Sequence, residues 1–184
     1  MSVSKSLRYT YEDYARLPDD RRYEVIDGEL YLTPAPTPYH QIVSRRIERL
    51  LEDHVEKARL GIVIQAPCDV VLSQFDVLQP DIFFVSSGRL AVIGEKYISD
   101  APDLVVEVLS PGTRKRDRFI KAKRYARFGV REMWIADPDR KTVEVHVNAG
   151  GAFRREALYT GDDVLRSPLL PGLEVPLERV FAVL

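Results

Sequence analysis

Asp81, Glu107 and Lys121 are the residues of this chain whose types and settings point to chemistry. Asp81 stands in Gln79-Pro80-Asp81-Ile82-Phe83-Phe84-Val85, and Glu107 in Asp103-Leu104-Val105-Val106-Glu107-Val108-Leu109. Both runs are β-branched or aromatic and read as buried strand. An unpaired carboxylate is costly to bury, so each calls for a base or a metal ion beside it. Two carboxylates meeting at one sheet edge offer the oxygen ligands that a hard divalent cation takes. Metal-dependent cleavage of phosphodiesters needs such an arrangement, which makes nuclease chemistry the leading expectation. The structural alternatives are a turn-capping role for Asp81 and, for Glu107, a buried salt bridge to Arg114 or Lys121.

Alternation along the Glu107 run puts Leu104, Val106 and Val108 on one face. Asp103, Val105, Glu107 and Leu109 take the other, so Glu107 shares an apolar face. At about 100° per residue, Asp117, Lys121, Tyr125 and Phe128 fall on one side of the following helix, whereas Arg116, Lys123 and Arg127 group on another. A lysine on the side of Tyr125 and Phe128 either snorkels outward or points at an anion. An Asp117 pair at i,i+4 is worth only about 0.2–0.5 kcal/mol, so if that side is buried a stronger anionic partner is expected. Two more polar residues sit where apolar ones are expected: Glu24, inside Arg-Tyr-Glu-Val-Ile, and His40, at the core-facing start of a long helix. His54 and His146 have no comparable setting. The segment from Arg114 through Lys115, Arg116, Lys123 and Arg127 is the one basic concentration, placed to hold a phosphate backbone beside the carboxylates.

The elements that must position these residues follow from pattern. Thr10 opens a short helix with Asp13 in the capping-box position. Arg22–Ile26 and Glu29–Thr33 form a hairpin about Asp27-Gly28, a type I′ signal. Pro34 to Pro38 is a stiff connector, and an amphipathic helix runs from about Tyr39 to Ala58, stopped by Gly61. Strands are expected at 62–64, 68–72, 80–85 and 104–109, then a helix to about Phe128 with Gly129 as its C′ residue. A strand at 132–136, a hairpin of 142–147 with 153–159, and a short helix near 177–183 complete the chain. The order describes one three-layer α/β domain around a mixed sheet. Its parts are an N-terminal hairpin (22–33), a core (about 39–137) and a C-terminal hairpin and tail (141–184). The 104–109 strand, its helix and the Trp134 strand form a βαβ unit.

The chain has 184 residues, enough to bury a core as one domain, and a formal net charge of -1. Tight nonspecific nucleic-acid binders are usually more basic, so any such function rests on a local patch. The single cysteine, Cys68, excludes an internal disulfide framework and suits a reducing compartment. No stretch is long and apolar enough to span a bilayer and no signal-peptide pattern opens the chain, so a cytoplasmic location without membrane association is expected.

In these segments the chain resembles the Uma-two family of restriction-endonuclease-like proteins, within the PD-(D/E)XK nuclease superfamily. The matching pieces are Tyr-Glu-Val-Ile-Asp-Gly-Glu-Leu (23–30), His40, Gln-Pro-Asp-Ile (79–82), Pro-Asp-Leu-Val-Val-Glu-Val-Leu-Ser-Pro (102–111), Asp117, Lys121 and Tyr125, and Met-Trp-Ile-Ala-Asp-Pro (133–138). The resemblance implies that Asp81 and Glu107 bind Mg²⁺ or Mn²⁺, with the Val108 carbonyl as a candidate further ligand. The superfamily's lysine ordinarily follows the second acid after one residue, where this chain has Leu109. The resemblance places its counterpart at Lys121, on the next helix. There Lys121 would position the attacking water, Glu24 would add a metal or water contact, and His40 would orient substrate or act as a base. DNA is the implied substrate, and cutting both strands favours a homodimer. Two rivals share the pattern: a catalytically inactive module of this fold that binds nucleic acid or a protein partner, and a metal-dependent hydrolase of small phosphate esters.

Overall fold

The structure is a computed structural model describing residues 8–18 and 20–182. Its elements run α1 (Tyr11–Tyr14), β1 (Arg22–Ile26), β2 (Glu29–Thr33), α2 (Pro38–Ala58), β3 (Gly61–Gln65), β4 (Val70–Ser73), β5 (Asp76–Leu78), β6 (Ile82–Ser86) and β7 (Leu104–Val108). A π-wound turn (Arg116–Lys121) leads into α3 (Ala122–Arg127), followed by β8 (Glu132–Asp137), β9 (Thr142–Asn148), β10 (Phe153–Thr160), β11 (Val164–Leu165), β12 (Val175–Pro176) and α4 (Leu177–Val180). The end of the last expected helix, Val183, lies outside the described residues.

Six strands form the central sheet in the order β10-β9-β8-β7-β6-β3. The β7–β8 pair is parallel and its other pairs are antiparallel, so the sheet is mixed, with a βαβ unit at its middle. Apolar side chains on the two faces build two cores. On one, Val43, Ile47, Leu51 and Val55 of α2 pack against Ile82, Phe84, Leu104, Val106 and Trp134. On the other, Tyr125 of α3 joins Phe83, Val105, Met133 and Ile135. Full burial of each large apolar side chain contributes about 1.5–3 kcal/mol, so these stripes fix both helices to the sheet.

Local signals set the ends of α2. Thr37 caps it by accepting the His40 amide, Pro38 opens it, and Arg59, at φ 55°, ends it in the left-handed region. Arg59, rather than the Gly61 expected from sequence, is therefore the stopping residue. Gly61 begins β3, where a Cβ would meet the Val85 carbonyl at 2.1 Å. Thr37→Ala should cost about 1 kcal/mol, read as a shift in the urea midpoint without a change in slope.

Two strand expectations are revised. The 68–72 strand is β4, which leaves the central sheet and pairs with β5 in a second, four-stranded sheet of order β2-β1-β5-β4. At three residues, β5 is too short to carry a readable alternation. The C-terminal hairpin was expected to stand outside the core, but β9 pairs with β8 along its length and buries Val143 and Val145. It thereby covers a strand edge that would otherwise be bare.

The small sheet packs Ile26, Val70 and Leu78 into the core that holds Tyr125. It is also clasped to α3, where Arg124 Nε and Nη2 donate to the Asp76 carboxylate at 2.7 and 2.6 Å. Burial alone would raise the Asp76 pKa, but Arg124, Ser73 and the Asp27 amide outweigh it and hold the carboxyl below its ordinary value. A depressed folded-state pKa stabilises above the unfolded value, about 3.9, and that stability is lost as pH falls through the folded one. Asp76→Asn should therefore cost about 1.5–3 kcal/mol near neutral pH. In urea melts run at decreasing pH, the gap between parent and variant should close below about pH 4.

Candidate active site

The rim where β6 begins and β7 ends gathers the charged residues. The β6–β7 register pairs Phe83 with Val105 and Ile82 with Val106, and Asp81 immediately precedes β6 at the end where Glu107 and Val108 close β7. Both acids line one narrow cleft. Asp81 Oδ2 accepts the Val108 amide at 2.8 Å, and His40 Nε2 lies 3.4 Å from the same oxygen. Thus α2 brings His40 in from one side of the sheet.

Glu107 lies on the Tyr125 side, as alternation indicates. Its Oε1 accepts from the Tyr125 hydroxyl at 2.7 Å and from Lys121 Nζ at 2.7 Å. Lys121 Nζ is also 2.9 Å from Glu24 Oε1, which in turn accepts the Gln79 amide at 2.8 Å. The lysine side chain is only 3% exposed. Asp117, its i,i+4 neighbour, is farther, at 3.8 Å. The strong anionic partners demanded by a core-facing lysine are therefore Glu107 and Glu24. Of the two salt-bridge alternatives for Glu107, the lysine rather than Arg114 makes it. Arg114 is committed instead to Asp137 and Asp139.

The helix is not regular throughout. Between Arg116 and Lys121 it is π-wound, so hydrogen bonding runs i→i+5 and residues five apart become neighbours. Arg116 is consequently drawn off the side it would share with Lys123 and Arg127 and into the cleft beside Lys121. Lys115, Lys123 and Arg127 remain exposed. Sequence reasoning missed this place for Arg116, and it assigned no role to the Tyr125 hydroxyl. Regular helical spacing contains no signal for the first. The second is signalled by Tyr125 sharing the Lys121 side.

The electrostatics separate this cleft from the rest of the molecule. Away from it, the buried carboxyls of Asp76, Asp103, Asp137 and Glu144 are all held below their ordinary values, because hydrogen bonds and arginines outweigh burial. Inside it the direction reverses. Burial pushes Glu107 well up, against the opposing pull of Lys121 and with Asp117, Asp81 and Glu24 adding to it. Asp117 also rises, chiefly by burial. Burial favours a neutral Lys121, but Glu107, Glu24 and Asp117 more than compensate and raise its pKa. Burial would lower the His40 pKa, but Asp81, the Val108 backbone and Asp117 together outweigh it and lift it. Several perturbed titratable groups crowded in one cleft are a mark of functional sites.

The residues fit a hard divalent cation. Glu24 Oε2 is buried with no hydrogen-bond partner, and Glu24, Asp81, Glu107 and Asp117 all line the same cleft. Among the described residues no three His, Cys, Asp or Glu side chains form a preformed metal cage. Mg²⁺ does not need one, because it binds through one or two carboxylates and takes its remaining oxygens from water and substrate phosphate.

A mixed sheet flanked by helices, with acids from two neighbouring strands and a buried lysine from the following helix at its rim, is a nuclease fold of the restriction-endonuclease-like class. The same fold is found in "a putative nuclease belonging to DUF820" from Anabaena variabilis, at a TM-score of 0.79 and 20% identity, over 94% of this chain and 97% of that one. The chain belongs to the Uma2 family, described as "Putative restriction endonuclease", whose model matches residues 11–178. No curated protein matches it.

Proposed function

We propose that the protein is a metal-dependent endonuclease that hydrolyses DNA phosphodiester bonds with Mg²⁺ or Mn²⁺. The observation that carries this reading is Lys121, buried between Glu107 and Glu24 in the cleft that Asp81 also lines. Asp81 and Glu107 would hold the cation, with the Val108 carbonyl as a further oxygen. A bound cation would polarise the phosphate and lower the pKa of a water. Lys121 orients Glu107 and Glu24 and provides positive charge beside the reacting phosphoryl oxygens. His40 holds Asp81 in place from the α2 side and orients the incoming strand.

The cleft, about 120 Å³, is well below the roughly 300–1,000 Å³ of pockets that engulf small ligands. That size suits one backbone phosphate of a polymer and argues against a small phosphate ester held whole. The exposed Lys115, Lys123 and Arg127 continue the helix away from the cleft, where a strand's neighbouring phosphates would lie. Free Cys68 suits the reducing cytoplasm. Among the described residues no helix is long and apolar enough to cross a membrane. A homodimer would supply a second cleft for the second strand, and light scattering with and without DNA measures it directly.

The test is cleavage of plasmid DNA. The parent protein should nick or linearise it with Mg²⁺ or Mn²⁺ and stop with EDTA, while leaving a phosphate monoester intact. The rival binding module has one observation in its favour, since Lys121 already neutralises the acids at 2.7 and 2.9 Å. DNA binding without cleavage under any of these conditions would select it. Under either reading, Lys123→Ala with Arg127→Ala should weaken DNA binding. It should also flatten the log–log salt dependence of the affinity by about 2, as two phosphate contacts are lost.

A further inference from the structure

We propose that Arg116 is the cleft's phosphate-gripping residue, its guanidinium taking a non-bridging oxygen of the backbone phosphate presented to Asp81 and Glu107. This rests on the nuclease reading of the same cleft and assigns a division of labour between its two cations. Lys121 is spent on the protein, with Glu107 and Glu24 both within 2.9 Å of its ammonium. Arg116 is not. Its side chain is only 11% exposed, yet its carboxylate neighbours stand off, with Glu24 Oε2 at 3.5 Å from Nη2 and Asp117 Oδ1 at 3.6 Å from Nε.

Its donors are also short of acceptors. A guanidinium carries five N–H donors. Arg116 places one on the Leu32 carbonyl at 3.2 Å, while its Nε is buried without a partner. Arg124, also buried, by contrast meets Asp76 with two short bonds. Burying donors unsatisfied is costly, and the cost persists only where something else completes them. Glu24 Oε2, 3.5 Å from Arg116 Nη2, likewise makes no hydrogen bond.

Winding explains why an arginine stands there at all. In a regular helix Arg116 would face outward with Lys123 and Arg127. The π-wound turn puts it beside Lys121, and the face of the Tyr31 ring, 5.8 Å from its guanidinium carbon, supports it from below. Planar, permanently charged and forked, a guanidinium matches phosphate oxygens in a way that an ammonium already bound to two carboxylates does not.

Two measurements on the full chain test this. In the first, inorganic phosphate is titrated into ¹⁵N-labelled protein with Mg²⁺ present, and the Arg116 Nε resonance is followed, assigned by its loss in Arg116→Lys. A saturable shift at Arg116 is expected; no shift overturns the proposal whether or not the protein is a nuclease. In the second, plasmid cleavage is compared among parent, Arg116→Ala and Arg116→Lys, each confirmed folded by circular dichroism. Arg116→Ala should lower kcat by about 10²-fold or more, and Arg116→Lys, which keeps the charge but not the fork, should recover part of it. Cleavage by Arg116→Ala at the parental rate overturns the role of Arg116 and leaves the nuclease reading standing. A parent that cleaves nothing overturns that reading, and the phosphate titration alone then decides for Arg116.

Discussion

Lys121→Met is expected to lower metal-dependent DNA cleavage by about 10²–10³-fold, the usual consequence of losing one charge-stabilising group at a reacting centre. It should also cost about 3–5 kcal/mol of folding stability, because Glu107, Glu24 and Asp117 would be left buried without their shared cation. Methionine keeps the length of the stem and its packing, so the loss reports charge rather than a cavity. Urea unfolding and single-turnover cleavage separate the two effects. DNA affinity should change little, since the exposed Lys115, Lys123 and Arg127 are untouched. A variant that cleaves at the parental rate would remove Lys121 from the chemistry; one as stable as the parent would mean that the acids are already largely protonated.

Glu107→Gln should separate activity from stability in the other direction. Cleavage should fall by at least about 10²-fold, since glutamine is a weaker ligand than a carboxylate and keeps only one acceptor oxygen. The rise in melting temperature on adding Mg²⁺ should vanish with it. Stability itself should hold or increase. Glu107 has its folded-state pKa raised by burial, against Lys121. The stability linked to such a group is present below the unfolded value, about 4.3, and is lost as pH rises through the folded value. Glutamine removes that loss, and its carbonyl can still accept from Lys121 or Tyr125. Parent stability should therefore decline with pH above about 4.3, and the variant's should decline less. A marked drop in the variant's melting temperature at pH 7–8 would show that the ionised Glu107–Lys121 pair is a net source of stability.

Much of this was legible in the sequence because it depends on period and punctuation. Alternation in Asp103–Leu109 put Glu107 with Val105 and Leu109, and the structure keeps that face, with Tyr125 upon it. Asp27-Gly28 specified its hairpin through two consecutive positive φ angles, 54° and 81°. Gly129, at φ 92°, ends α3, the Val130 amide reaching back to the Tyr125 carbonyl. What escaped was whatever breaks period or depends on distant pairing. A change from i+4 to i+5 winding leaves no mark in apolar spacing, so Arg116 was assigned to the wrong side of its helix. The second sheet was hidden because β5 has only the residues Asp76–Leu78. Its partner across the sheet, β1, is far away in the chain and meets it only at Val25 and Val77.

That second sheet gives the cleft a divided ancestry. Asp81 and Glu107 come from the central sheet, but Glu24 comes from β1, and the two sheets meet through the Ile26–Val70–Leu78 packing and the Asp76–Arg124 clasp on the helix that also carries Lys121. The contact of Glu24 with Lys121 therefore exists only while the two sheets are packed on one another. A partial opening along this seam would carry Glu24 away from Lys121 and leave the rest of the fold standing. Should this seam part before the rest of the fold gives way, cleavage would disappear at a denaturant concentration that leaves most of the secondary structure in place.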